Sequence, residues 1–241
     1  MKFQQASISG IKVCPPKMKC DIPYNPPPDV ECLSPYSHFY GIIAPPGGGK
    51  TSLMTNLITR KDMYRKRFNN IFTFCPNNSR ASIPGLFKKL DPNKCFEALD
   101  SQSINHVVEQ LKRESTDGKF SLIILDDMMA FLKDKEVSKA LNYITANRRH
   151  LKTAVWVLSQ SYKSIPLTTR KQMSHMFYFK PRSRAEMKAI SDEVLFLEPK
   201  DTGALFDYVF DDPDDKHRFL LVNMNDGKFY KNFDELVMVE N

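Results

Sequence analysis

The sequence predicts an α/β protein with a central, mostly parallel sheet flanked by helices and a β-hairpin appended near the C-terminus. Short continuous apolar runs alternate with stretches of helical spacing, which is typical of a parallel sheet covered on both faces. A glycine-rich segment ending in Gly49-Lys50-Thr51 follows the first of these runs. Asn225-Asp226-Gly227 separates the last two apolar runs and is a hairpin signal.

The predicted elements follow one another along the chain. Apolar runs predict strands over residues 39–43, 70–74, 121–125, 154–158 and 175–179. Helical spacing predicts helices over residues 51–60, 104–113, 137–147, 183–193 and 202–210. The hairpin strands are predicted over residues 219–224 and 228–233.

Length and composition limit the class of protein. The chain has 241 residues, of which 41% are hydrophobic, enough for one large domain over residues 37–241. Residues 1–36 are rich in proline and predict an N-terminal arm that covers the core edge, with a subunit or docking contact as the alternative. No run approaches the roughly 18 to 20 apolar residues of a membrane span, and no secretory-type run occurs, so we expect a cytosolic protein.

The cysteines predict reduced thiols. There are five, at irregular spacing and without a Cys-x-x-Cys pair, which makes a zinc site a poor interpretation. They are Cys14, Cys20, Cys32, Cys75 and Cys95.

The glycine-rich segment predicts a phosphate-binding loop. It reads Ala44-Pro45-Pro46-Gly47-Gly48-Gly49-Lys50-Thr51-Ser52 and matches the pattern Gly-x-x-x-x-Gly-Lys-Ser/Thr, except that Ala44 replaces the first glycine. Gly47 and Gly48 let the backbone curl so that its amides face phosphate oxygens. We expect Lys50 on the β- and γ-phosphates and the Thr51 hydroxyl on Mg²⁺. The sequence therefore predicts a P-loop NTPase that binds ATP or a related nucleotide, with an ordinary glycine-rich turn as the alternative.

Polar residues at two other strand ends complete the predicted site. Asp126 and Asp127 follow an apolar strand, and because successive side chains point to opposite sides, the two can differ in role. We expect Asp126 to hold Mg²⁺ and Asp127 to orient or deprotonate the attacking water, with a helix cap as the alternative. Gln160 follows the next strand and is the predicted sensor of the γ-phosphate, with a loop hydrogen bond as the alternative.

Basic residues are candidates for charge stabilisation and for polyanion binding. Arg148, Arg149 and Arg170 are candidate arginine fingers, which often act from a neighbouring subunit, although helix-end arginines are commonly surface residues. Residues 148–188 contain ten Lys or Arg against one acid, whereas residues 201–241 contain ten acids against four bases. This asymmetry favours one polyanion-binding face, with a mixed solvated surface as the alternative.

Four motifs in this order resemble one family: Ala44 to Ser52, Ile124-Leu125-Asp126-Asp127, Asn147-Arg148-Arg149-His150 and Leu158-Ser159-Gln160-Ser161-Tyr162. Over roughly residues 37–235 the chain resembles the poxvirus-type genome-packaging ATPases of double-jelly-roll DNA viruses, in the FtsK–HerA class of P-loop NTPases. An aspartate at position 127, where many relatives have glutamate, departs from the wider class.

The resemblance implies an ATPase that translocates double-stranded DNA into a preformed capsid. It also implies a homo-oligomeric ring, a pentamer or hexamer, that contacts a capsid or vertex protein. We expect the host cytoplasm, at the viral factory, and the virion as its locations. The alternatives are a nucleoside or nucleotide kinase, with Arg182 and Arg184 as lid residues, and a nucleotide-switched assembly protein.

Overall fold

The fold is built on one nine-stranded sheet. The computed structural model describes residues 20–77, 85, 90–211, 215 and 217–237. The strands are β1 (Phe39–Ile43), β2 (Asn70–Phe74), β3 (Cys95–Phe96), β4 (Ser121–Asp126), β5 (Thr153–Ser159), β6 (His175–Phe179), β7 (Phe219–Asn223), β8 (Lys228–Lys231) and β9 (Asp234–Leu236). Across the sheet they lie in the order β3-β2-β4-β5-β1-β6-β7-β8-β9.

The parallel part of the sheet confirms the predicted fold class. β1 pairs in parallel with β5 on one side and with β6 on the other, while β4 lies in parallel between β5 and β2. Every residue of β1, β4, β5 and β6 is buried. Strands covered on both faces need apolar side chains on both, which is why they read as continuous apolar runs.

The C-terminal strands extend the same sheet in antiparallel fashion. β7 pairs with β6, and β8 and β9 follow in turn. The predicted hairpin is therefore present, and it continues the sheet beyond β6.

Six helices accompany the sheet in the described residues. They are α1 (Lys50–Thr59), α2 (Ser101–Thr116), α3 (Lys135–Ala146), α4 (Leu167–Arg170), α5 (Arg184–Ile190) and α6 (Pro199–Phe210). Side chains cap three of them at the N-terminus: Asp100 on α2, Asp134 on α3 and Ser183 on α5. The predicted helix over 183–193 divides into α5 and a following π-helical turn, Ser191–Leu195.

The sheet has a hydrophobic core layer on each face. Alternation along β4 sends Ile123 and Leu125 into one layer and Leu122 and Ile124 into the other. The first layer includes apolar residues of α2, α3, α5 and α6, and the second includes those of α1. Helix α1 thus packs in the second layer, and it begins directly after the segment that follows β1.

The described part of the proline-rich arm packs onto the second layer. Tyr24 is 1% exposed, and its ring contacts the rings of Phe68 and Phe120 edge to face. Cys32 and Leu33 are buried in the same layer. Residues 20–36 therefore cover the core edge, as the sequence predicts. Residues 1–19 of the arm, with Cys14, lie outside the described residues.

Two further findings concern the described residues alone. None of their helices is long and apolar enough to cross a bilayer. No disulfide joins the four cysteines in this part of the chain.

Candidate nucleotide-binding site

The glycine-rich loop lies at the carboxyl end of the central strand. β1 ends at Ile43, and α1 begins at Lys50, so residues 44–49 form the connection. The amide of Ala44 donates to the carbonyl of Ser159 (3.1 Å), which fixes the start of the loop to the end of β5. Ligands of open α/β sheets bind at this edge.

Glycine is required at two loop positions. Gly47 and Gly49 have φ angles of 72° and 107°, which side chains rarely tolerate. A Cβ at Gly49 would also lie 3.1 Å from the ring of Phe179 and 3.3 Å from His217 Nδ1. Ala44, at the position of the usual first glycine, is 1% exposed and packs in the core. A Cβ at Gly48 would lie 3.0 Å from the Ala44 methyl group, which therefore packs against Gly48 within the loop.

The start of α1 is free to bind an anion. Gly49 is its N-cap residue, and no side chain of the described residues caps the helix. The first amides of a helix have no partner inside it, and they carry the positive end of the helix dipole. Helix α1 thus presents unpaired donors and a partial positive charge to the loop, which is a phosphate-binding arrangement.

Lys50 spans the loop. Its side chain is 10% exposed, and its ammonium donates to the Ala44 carbonyl at 3.1 Å. The same ammonium lies 3.9 Å from a carboxylate oxygen of Asp127. Lys50 is therefore held over the loop, between the end of β1 and the end of β4.

Asp126 is a buried acid suited to a cation. It is 5% exposed, and one carboxylate oxygen accepts a hydrogen bond from the Cys75 thiol at 3.5 Å. Burial raises the pKa of the Asp126 carboxyl above its usual range, and repulsion from Asp127 raises it further. A carboxylate in such surroundings fits a bound divalent cation, because a cation would compensate the charge that burial penalises. Magnesium takes oxygen ligands, and Asp126 together with the Thr51 hydroxyl at the start of α1 would supply them.

Asp127 contacts both Lys50 and Gln160, the predicted sensor of the γ-phosphate. Gln160 donates its side-chain amide to a carboxylate oxygen of Asp127 at 3.1 Å. Asp127 has a φ of 53°, and its amide donates to the Leu158 carbonyl at 3.0 Å. Its side chain therefore faces Lys50 and Gln160, whereas the cap of α3 is Asp134. The helix-cap alternative for the acidic pair is not what the structure has.

One further arginine lies at the loop, which the sequence suggests only as a lid residue of the kinase alternative. Arg182, in the link between β6 and α5, donates to the Pro46 carbonyl at 3.3 Å. The contact joins residues 136 positions apart. The sequence signals for it are the basic character of the segment that follows β6 and the position of a lid in the kinase alternative.

Comparison with known proteins identifies the family. Residues 37–195, well over half of the chain, match the family described as Poxvirus A32 protein. The chain belongs to the poxvirus A32 protein family. None of the curated proteins compared matches it.

Solved structures share the fold of this A32 family member. The DNA-packaging ATPase B204 from Sulfolobus Turreted Icosahedral Virus is 14% identical, with a TM-score of 0.61 over 82% of this chain and 97% of B204. The genome packaging NTPase B204 from Sulfolobus turreted icosahedral virus 2, in complex with AMPPCP, is 13% identical, with a TM-score of 0.58 over 83% and 98%. EssC (ATPases 2 and 3) from Geobacillus thermodenitrificans is 16% identical, with a TM-score of 0.54 over 85% of this chain and 40% of EssC. At these identities the similarity shows the fold alone.

Two of the three candidate finger arginines lie far from the loop of their own chain. Arg148 and Arg149 precede β5, and the Thr153 amide donates to the Arg148 carbonyl at 2.9 Å. They are therefore at the amino edge of the sheet, about 20 Å from the loop at the rise of a seven-residue strand. A role on the nucleotide of their own subunit is wrong for this geometry, since an arginine side chain cannot cross that distance. Contact with a nucleotide of a neighbouring subunit stays a prediction.

Arg170 is held within its own subunit. Its guanidinium makes two hydrogen bonds of 2.7 Å to Glu193 and lies 4.8 Å from the centre of the Tyr162 ring. A bidentate pair of this kind is among the stronger contacts that arginine makes. Acting as a finger would require Arg170 to leave Glu193, so the finger role stays a prediction that this contact opposes.

Proposed function

We propose that this chain is an ATP-hydrolysing motor that moves double-stranded viral DNA into a preformed capsid. The observation that carries the proposal is the contact of Asp127 with both Lys50 and Gln160 at the phosphate loop of an A32 family member. The B204 proteins of the same fold are named as packaging enzymes, one of them as a DNA-packaging ATPase, and the B204 of Sulfolobus turreted icosahedral virus 2 was solved with the ATP analogues AMPPCP and ATP-gammaS. These names support ATP as the nucleotide and DNA as the cargo.

Each site residue then has a defined task. The loop amides and Lys50 hold the β- and γ-phosphates, while Thr51 and Asp126 hold the metal. Mg²⁺ bound by these two residues would neutralise charge on the phosphate oxygens. Asp127 takes a proton from the attacking water or orients it, and the Gln160 amide fixes the direction of that carboxylate.

The basic segment that follows β5 is the proposed DNA-binding surface. Six of its cationic side chains are exposed: Lys163, Lys171, Lys180, Arg182, Arg184 and Lys188. Exposed cations bind backbone phosphates without regard to sequence, and this binding weakens steeply as salt rises. We propose that a pentameric or hexameric ring of subunits places these residues around the duplex. We also propose that the ring docks on a capsid or vertex protein. Its proposed locations are the viral factory of the host cytoplasm and the virion.

A kinase is the second candidate, and one contact favours it. Arg182 at the phosphate loop is where a kinase lid would place an arginine. The Asp127–Gln160 pair favours attack by water over attack by a bound acceptor. Analysis of products from labelled ATP and nucleosides separates the two: free phosphate supports the motor, and a phosphorylated nucleoside supports the kinase.

The motor function is tested by ATP hydrolysis with and without duplex DNA. We expect the assembled wild-type protein to release phosphate faster when duplex DNA is added, and the stimulation to fall with salt. Lys50→Ala is the control, and it should abolish hydrolysis under both conditions. An assembled ring whose hydrolysis and binding are both indifferent to duplex DNA would contradict the motor function.

A further inference from the structure

A small cavity lies beside the phosphate loop, between Gln160 and the end of β6. Its volume is about 170 Å³, and the first three loop residues line it together with Gln160 and the end of β6. β6 pairs with β1 on the side opposite β5, and Ile43 is the partner of Tyr178. The cavity therefore extends from the end of β6 across the loop to Gln160, the residue that also contacts Asp127.

Arg182 is the cation of this cavity. Its side chain is exposed, and its contact with the Pro46 carbonyl is a single 3.3 Å hydrogen bond. Within the described part of the chain no carboxylate pairs with Arg182. In contrast, Arg170 and Arg149 each pair with an acid. Arg182 is thus a positive charge at the loop, and its one hydrogen-bond partner in the described residues is a neutral carbonyl oxygen.

Tyr178 is a further hydrogen-bond donor of the cavity. Gln160 and Glu186 also line it, and a carboxylate oxygen of Glu186 accepts a hydrogen bond from the Tyr162 amide. Tyr178 is 1% exposed, and its hydroxyl is buried without a hydrogen-bond partner among the residues that the structure describes. A buried hydroxyl without a partner carries an energetic cost, which an acceptor entering the cavity would remove. A guanidinium and a hydroxyl in one cavity are the donors that phosphate oxygens accept from.

We propose that Arg182 is a second phosphate-binding side chain, which recognises the terminal phosphate of the bound nucleoside triphosphate. The guanidinium exchanges the Pro46 carbonyl for γ-phosphate oxygens, since hydrogen bonds to an anion are shorter and stronger than those to a neutral carbonyl. The Tyr178 hydroxyl donates into the same cavity. Arg182 thereby distinguishes the triphosphate from the diphosphate. This inference rests on the proposed function.

Equilibrium binding of ATPγS and ADP, each with Mg²⁺, tests the inference apart from hydrolysis. We expect Arg182→Ala to weaken ATPγS binding by about tenfold to a hundredfold, while ADP affinity stays within about twofold of wild type. Arg182→Lys should recover part of the ATPγS affinity, since it retains the charge. Arg113→Ala is the matched control, because this exposed arginine lies in the last turn of α2, ahead of the start of β4 at the opposite edge of the sheet, and the variant should bind both nucleotides as wild type does.

The outcomes separate this inference from the proposed function. A wild type that binds and hydrolyses ATP, with Arg182→Ala binding ATPγS normally, overturns the inference alone. Equal loss of ATPγS and ADP affinity in Arg182→Ala also overturns it, because a merely structural role would affect both nucleotides. A wild type that binds neither nucleotide overturns the proposed function and the inference with it.

Discussion

Replacing Asp126 with Asn should stabilise the chain without nucleotide and remove its response to Mg²⁺-nucleotide. The carboxylate is 5% exposed, accepts a hydrogen bond from a thiol and is repelled by Asp127. Asparagine has nearly the same shape but no charge, so the substitution removes a buried negative charge and leaves the packing. If the function of Asp126 is to bind a cation, its carboxylate should therefore lower the stability of the fold when the cation is absent.

The size of the effect follows from the cost of poorly compensated buried groups. That cost is about 1–3 kcal/mol, and because the buried amide keeps part of it, we expect a gain of about 1 kcal/mol. For a chain of this length, this corresponds to a rise of about 2–4 °C in Tm. Saturating the wild type at a hundred times Kd with Mg²⁺-ATPγS should add about 2.7 kcal/mol, and the variant should lose most of that addition.

Thermal unfolding in EDTA, and again with Mg²⁺-ATPγS, measures both effects. Asp117→Asn is the matched control, because Asp117 has a 62% exposed side chain and should leave Tm within about 1 °C. If Asp126→Asn proved less stable than wild type in EDTA, or kept the full shift with Mg²⁺-ATPγS, Asp126 would not be a residue kept for a metal.

Three further predictions follow from the same geometry. Asp127→Asn should bind ATPγS as wild type does but hydrolyse ATP about 10²–10³-fold more slowly, measured by phosphate release; an unchanged rate would exclude Asp127 as the base. Gly49→Ala should lower the free energy of unfolding by about 1–2 kcal/mol and weaken nucleotide binding, because the φ of Gly49 is 107° and the new methyl group would crowd Phe179. Unchanged nucleotide binding and an unchanged Tm would contradict the loop geometry. Burial lowers the pKa of His175 to about 4. The unfolded chain therefore binds a proton at this histidine near pH 6.5, whereas the folded chain does not. The free energy of unfolding should consequently fall by up to about 3 kcal/mol as the pH drops from about 6.5 to about 4. His175→Gln should flatten this slope in denaturant titrations, and an equally steep slope in the variant would refute the assignment.

The sequence located the central strands well because their burial leaves a direct signature. β1, β2 and β6 begin and end where the apolar runs do. Helix starts were predicted two to three residues late for α2 and α3, because the capping residues Asp100 and Asp134 lie ahead of the apolar periodicity. β3 and β9 were missed, since strands of two and three residues with partly exposed side chains have no periodic pattern.

The site was predictable only where strand topology brings residues together. Carboxyl ends of parallel strands meet at one edge, so the proximity of Lys50, Asp127 and Gln160 follows from placing each after its strand. The position of Arg148 at the opposite edge also follows from the direction of β5. Arg182 could not be placed, because its contact with Pro46 depends on the path of the link after β6.

The central claim is that the loop amides, Lys50 and Asp126 form a site for a nucleoside triphosphate. Calorimetric titration of the full chain with Mg²⁺-ATPγS, beside Lys50→Ala, tests it most directly. The geometry predicts one nucleotide bound per wild-type chain and affinity lowered at least tenfold when the ammonium over the loop is removed. Binding of equal strength by the two proteins, or no binding by wild type, would contradict it.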